Sequence, residues 1–147
     1  MKKIIVSLIF AALPIAALAF AEDKFTVSGD LTCHMETNIY VCLHNQQTCA
    51  NWKRDLPSGP FTQIIRADLS GKKSFTFNGV PKGEYVLYAF ADENGNGKLD
   101  YDPSGRVEEP IATHKPFLSG RSLDINWLDQ KFEVDKDITG LEMMFFK

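Results

Sequence analysis

Apolar and polar residues alternate with a period of two along most of the chain, in short runs separated by turn residues. Lys24–Cys33 alternates through Phe25, Val27 and Leu31, and Asn38–Asn45 through Ile39, Val41 and Leu43. Met35-Glu36-Thr37-Asn38 between them predicts a hairpin connection. Phe61–Leu69 places Ile65, Ala67 and Leu69 on one face, and Lys73–Asn78 sets Phe75 and Phe77 against Ser74 and Thr76. Successive side chains of a strand point to opposite faces, so this period predicts strands with one buried face. Glu84–Ala91 (EYVLYAFA) is apolar on both faces. A strand without a polar face is expected in the middle of the structure, covered on both sides. Lys131–Asp135 and Ile138–Phe146 predict a closing hairpin around Lys136-Asp137, with Leu141, Met143 and Phe145 inward. Seven such strands with Gly and Pro turns, and no 3.6-residue pattern, predict an all-β, two-sheet sandwich.

Two stretches interrupt the rhythm. Gln46–Pro60 is a polar loop carrying Cys49 and Trp52, and Asp92–Gln130 is 39 residues without a clear strand. A connection that long in a small domain is either functional or contains an element that periodicity misses. Its start is the candidate chemistry. With Asp92 as position one, oxygen-bearing side chains fall at one, three, five and nine (Asp92, Asn94, Asn96, Asp100), with Gly97 at six. Calcium loops use this spacing because alternate side chains turn their oxygens inward as the chain curls, and the glycine allows the sharp bend. Lys98 at position seven is expected to offer only its backbone carbonyl. Position twelve, a bidentate glutamate in an EF-hand, is Pro103 here; Asp102 sits one place early, and Glu108 or Glu109 can fold back to complete the shell. With two neutral asparagines among the ligands, affinity is expected in the weak range of extracellular modules, roughly 0.1–1 mM. The rival reading is a solvated acidic loop, since Asn94-Gly95 and Asn96-Gly97 are also strong turn dipeptides.

The ends of the chain and its charge narrow the setting. Lys2 and Lys3, the apolar run Ile4–Leu18 and the small-residue exit Ala19-Phe20-Ala21 predict a cleavable signal peptide over residues 1–21. The working molecule is then one domain, 22–147, exported to the periplasm or secreted, with no membrane insertion after cleavage. Sixteen basic residues less Lys2 and Lys3 leave 14 against 19 acidic ones, a net −5. That balance argues against nucleic acid or an anionic membrane surface as the main partner and leaves carboxylates for a hard cation.

Export exposes Cys33, Cys42 and Cys49 to oxidising conditions, and a Cys42–Cys49 disulfide is expected. Strand parity turns Cys42 away from Ile39, Val41 and Leu43, toward the loop that carries Cys49. Cys33 shares the inward parity of Phe25, Val27 and Leu31, as a small buried hydrophobe. A Cys33–Cys42 bridge is the rival connectivity.

The string Ala91-Asp92-Glu93-Asn94-Gly95-Asn96-Gly97-Lys98-Leu99-Asp100, then Gly105-Arg106-Val107-Glu108-Glu109-Pro110, resembles an uncharacterised family of exported bacterial proteins. That family has a D-E-N-x-N-G-x-L-D loop followed by a G-I-P-x-E-P-like segment. Gly79-Val80-Pro81-Lys82-Gly83-Glu84-Tyr85 and Asn126-Trp127-Leu128-Asp129-Gln130-Lys131-Phe132 are similar to its other turn and strand-entry motifs. The resemblance implies an immunoglobulin- or transthyretin-like sandwich without an assigned activity, and matches Asp92, Asn94, Asn96, Asp100 and Glu109. Arg106-Val107 departs from the apolar-proline pair of the pattern.

Other chemistry is thin. His34, His44 and His114 lack helical pairing and are expected at surfaces or turns, not on zinc or copper. Ser58-Gly59 and Ser119-Gly120 have no nucleophile-elbow context. Trp52, Phe117 and Trp127 sit in the long loops, where they either plug the ends of the fold or stack on a ligand. The expected function is therefore a non-enzymatic module with a calcium-ordered connection, open to an unknown protein or small-molecule partner. The alternatives are an envelope or adhesion subunit and a metal-assisted hydrolase.

Overall fold

In the computed structural model, residues 22–49, 59–115 and 127–146 are described. The signal peptide expected over 1–21, and Trp52 and Phe117, lie outside them. The described chain is all-β: β1 (Lys24–Cys33), β2 (Asn38–His44), β3 (Phe61–Arg66), β4 (Gly71–Pro81), β5 (Gly83–Asp92), β6 (Ile111–Thr113), β7 (Phe132–Val134) and β8 (Ile138–Phe146). Two single helical turns, α1 (Gln46–Cys49) and α2 (Trp127–Gln130), complete it. The eighth strand is β6, too short for alternation to reveal, inside the stretch expected to hold none.

The expected sandwich is replaced by one continuous sheet, ordered β3-β2-β5-β6-β8-β1-β4, with β7 beside β5. Neither expected terminal hairpin forms. β1 lies antiparallel to β4 and parallel to β8, while β2 lies between β3 and β5. β7 pairs with β5 (Glu84 opposite Glu133) instead of with β8. Alternation states which face of a strand is buried and is silent about which strand lies beside it.

The sheet curls until its two edges meet. Both partners of β1 carry an extra residue at the same level, marked by register slips around Val27 and by Gly79 and Gly140 with φ +73. Bulges of this kind bend a strand and sharpen its twist, which is what closing a sheet requires. At the seam between β3 and β4 the Thr76 N–H donates to Gln63 Oε1 at 3.0 Å, so a side chain takes the place of a ladder bond. The Phe61 and Phe77 rings meet edge-on there, 6.3 Å between centroids. The result is barrel-like and nearly closed.

Inside sit Val27, Leu31, Ile39, Val41, Leu43, Phe75, Phe77, Leu87, Leu141 and Met143, with Cys33 among them as parity predicted. Outside, over β2, β5 and β6, a second buried layer contains Tyr40, Cys42, Cys49, Val86, Tyr88, Phe90, Leu99 and Ile111. β5 is thus buried from Tyr85 to Asp92 on both faces, as its apolar sequence requires.

The outer layer corrects two expectations. Cys42 and Cys49 do lie on the same side, but the Cys42–Cys49 disulfide is not formed and all three cysteines are free, buried thiols. The face opposite Val41 is a second apolar layer. His44 is likewise buried, with 3% exposure, instead of lying at the surface. It stacks on Tyr88, 5.4 Å between ring centroids, and its Nε2 lies 3.1 Å from the Tyr88 hydroxyl. Buried His44 Nδ1 has no hydrogen-bond partner among the described residues. An orphaned N–H is costlier than an orphaned lone pair. This assigns the proton to Nε2, donating to Tyr88 Oη, and leaves the phenol to donate to Cys42 Sγ. Burial holds His44 down at about 4 and pushes Cys42 up to about 12, so both are neutral across ordinary pH.

Candidate metal centre

β5 ends at Asp92, and the chain then turns tightly on that residue. The Asp92 carboxylate is buried and accepts the N–H groups of Gly95 (2.8 Å), Asn96 (3.1 Å) and Gly97 (2.8 Å). Three converging backbone donors explain why an aspartate tolerates a site with 2% exposure. Its backbone carbonyl accepts the buried Thr37 hydroxyl, tying the start of the loop to the β1–β2 link. Gly97 has φ +74, and a Cβ there would stand 3.2 Å from the Tyr40 hydroxyl. The sixth position therefore needs glycine for its backbone and for its close seat on the outer layer.

Downstream, Leu99 is buried in that layer, with Tyr101 and Val107 packed against it. Tyr101 and Val107 also form an isolated antiparallel bridge. Asp102 closes the intervening turn by accepting Ser104 N (2.8 Å), Ser104 Oγ (2.6 Å) and Arg106 N (2.9 Å). The segment rejoins the sheet where Ala91 N–H donates to the Pro110 carbonyl at 2.9 Å. The loop is thus a hairpin laid over the outer face of β2 and β5, with its apolar residues down and its oxygens along the rim.

The predicted side chains come together unevenly. The Asn94 and Asn96 amides both point Nδ2 at the same oxygen, Asp100 Oδ2, at 2.6 Å each. Asn94 Oδ1 accepts the Asn96 N–H and Asn96 Oδ1 accepts the Lys98 N–H. Lys98 itself is exposed. Glu109 returns from the far arm of the hairpin: Oε1 accepts Glu93 N–H at 3.1 Å and Oε2 faces Asp100 N at 3.4 Å. Glu108 stays on the surface, its N–H donating to the Asp100 carbonyl.

Burial, and then the negative fields of Asp92 and Asp100, raise the Glu109 carboxyl to about 7 despite the two N–H groups that favour its charged form. Three carboxyl groups from separate turns therefore feel one another. Among the described residues no three His, Cys, Asp or Glu side chains approach closely enough to hold a metal ion by themselves. The arrangement instead mixes carboxylates with amides. What spacing alone missed is that Asp92 and Glu109 are engaged with the backbone. The tell-tale is that both are acidic residues next to apolar ones, Ala91 and Pro110, at the two points where the hairpin meets the sheet.

Residues 32–139 match the model of a family described as an uncharacterized protein conserved in bacteria (DUF2141). The chain belongs to this family. The match runs from the end of β1 to the start of β8 and takes in the whole of the Asp92–Glu109 hairpin. No curated protein and no solved structure matches the chain. Among the described residues of this DUF2141 member, no helix is long and apolar enough to cross a membrane.

Proposed function

We propose that the protein is an exported, non-enzymatic β module whose Asp92–Glu109 hairpin takes a calcium ion, and that the ion fixes the hairpin against the outer layer. The convergence on Asp100 is the observation that carries this reading. Two planar amides meet one carboxylate oxygen at 2.6 Å each. Turning an amide over exchanges its NH2 for its oxygen and gives up the N–H bond from Asn96 or Lys98 that the oxygen accepts, a loss that a cation drawing the Asn94, Asn96 and Asp100 oxygens together offsets. A hard cation prefers such a mixed set of carboxylate and amide oxygens. It also relieves the like-charge repulsion that Asp92 and Asp100 impose on Glu109. In this reading Asp92 and Glu109 shape the hairpin and supply charge, Asp100 is the principal anionic ligand, and Lys98 adds a carbonyl.

An ion that binds only the folded state stabilises it by RT ln(1 + [L]/Kd), about 1.4 kcal/mol at tenfold saturation. For a domain of this size that is a rise in Tm of about 5 °C. The test is thermal unfolding of the processed protein in 10 mM calcium chloride and in chelator, beside Asp100→Asn. The variant keeps an oxygen for both amides and loses the charge, so its Tm in chelator should stay within about 2 °C of the parent while the calcium response vanishes. A calcium response absent from the parent, or equal in the variant, refutes the site.

A further inference from the structure

At the other end of β5 lies a second place where chemistry gathers. A cleft of about 450 Å³ opens between the β4–β5 turn, the α1 turn and α2, within the size range of small-molecule sites. Its lining combines Trp127 with Asn45, Gln46 and Gln47, the acidic Glu22 and Glu84, and the basic Lys82. Trp127 is half-buried: it packs against the outer layer and also lines the cleft. Gln46 and Gln47 are exposed on a turn held in place by Asn45, whose Oδ1 accepts the Thr48 N–H at 2.9 Å. Glu84 is oriented by Lys131, 2.7 Å from its Oε1. The β4–β5 turn that forms the opposite wall is fastened by the Tyr85 hydroxyl, which donates to the Pro81 carbonyl at 2.9 Å.

The larger cleft, over β1, β4 and β8, offers less. Among the described residues its lining includes no Trp, Tyr or Phe, and its Asp30 is engaged by Lys72 at 2.9 Å and by Ser74 at 2.7 Å. The cleft beside Trp127 presents a different set: an aromatic surface beside amides that accept and donate, carboxylates that accept, and the donating ammonium of Lys82. An aromatic ring covers an apolar C–H surface. Amides and carboxylates at its rim suit vicinal hydroxyls, which also donate and accept in pairs. Ligands combining those two features on one ring are saccharides, and with Glu22 and Glu84 set against Lys82 the lining has no surplus positive charge to favour acidic ones.

We propose that the cleft formed by Trp127, the Asn45–Gln47 turn and Glu84 binds a short neutral saccharide. The site is separate from the calcium hairpin. β5 spans ten residues between them, about 30 Å at the rise of an extended strand. The experiment is calorimetric or saturation-transfer titration of the processed protein with cellotetraose, maltotetraose and chitotetraose in parallel. Saturable binding of at least one is expected, with a Kd of roughly 1 mM or tighter, as fits an open cleft. Trp127→Ala should abolish it. Because that variant also removes packing, the exposed pair Gln46→Ala with Gln47→Ala is the decisive one: it should leave Tm unchanged and weaken binding about tenfold. Failure of all three tetrasaccharides to bind, or undiminished affinity in the Gln46/Gln47 variant, overturns the proposal.

Discussion

On its inner face β5 presents Tyr85, Leu87, Ala89 and Ala91 to a ring of strands, and on its outer face Val86, Tyr88, Phe90 and Asp92 to short connections: the Asp92–Glu109 hairpin, α1 and α2. Both faces are buried, but the means differ. The inner layer is enclosed by the curled sheet itself, whose ladder bonds and side chains come from every part of the chain. The outer layer is roofed by a hairpin that holds its shape through short-range bonds from Asp92, Asn96 and Asp102 to neighbouring N–H groups. The inner layer is also mostly aliphatic and phenylalanine, while the outer one contains tyrosine hydroxyls, two thiols and an imidazole. A roof made of short connections can open locally, whereas a barrel wall opens only by breaking sheet structure.

The comparison breaks first under truncation of the inner layer. Leu87 is 1% exposed, and Leu87→Ala should cost about 2–5 kcal/mol, read as a lower denaturant midpoint for the whole protein. A loss below about 1 kcal/mol would mean that the barrel interior is not the main source of stability.

The next effect belongs to the outer layer and is driven by pH. His44 is held at about 4 in the fold, below the 6.5 of an unperturbed histidine. The unfolded chain therefore takes up a proton at higher pH than the native one. Stability is fully present above about pH 6.5, falls as pH drops, and levels off below about 4, a loss on the order of 2–3 kcal/mol. His44→Gln should flatten that part of the profile. A profile equally steep in the variant would move the cause elsewhere.

A smaller effect separates roof from wall. Without calcium the amides of residues 93–109 should exchange at least about tenfold faster than the slowest amides of β1 and β8, and calcium should raise the protection of both by a factor of about ten. Uniform protection would show that roof and barrel open as one unit. Smallest is Tyr88→Phe, which removes the hydroxyl between His44 and Cys42 and should cost about 1 kcal/mol. A neutral result would mean that the thiol and imidazole find replacement partners.

Much of the strand content was legible in the sequence. Ile138–Phe146 and Lys24–Cys33 form where alternation placed them, and Leu141 and Met143 point inward because a period of two leaves them no other face. Leu69 shares the parity of Ile65 and Ala67 yet is 65% exposed, because β3 ends at Arg66 and parity has no meaning past the end of a strand. β6 escaped notice because Ile111-Ala112-Thr113 is too short to display a period. At the candidate centre, the spacing of Asp92, Asn94, Asn96, Gly97 and Asp100 was visible as a list of oxygens. Which of those oxygens face backbone donors, and that Glu109 and not Glu108 is the one that folds back, was not.

What the chain determines locally is therefore its strands, their faces and the glycine-bent turn after β5, since each follows from interactions between residues a few places apart. Strand partners, closure of the sheet and the second apolar layer depend on residues far apart in the chain. Val27 meets Ile138, and Gly29 meets Leu141, because β8 completes the wall, and Cys42 is buried in a layer that Cys49, Tyr88 and Leu99 build from three other parts of the chain. Local patterning states how much surface a segment must bury, and only the assembled tertiary structure chooses what buries it.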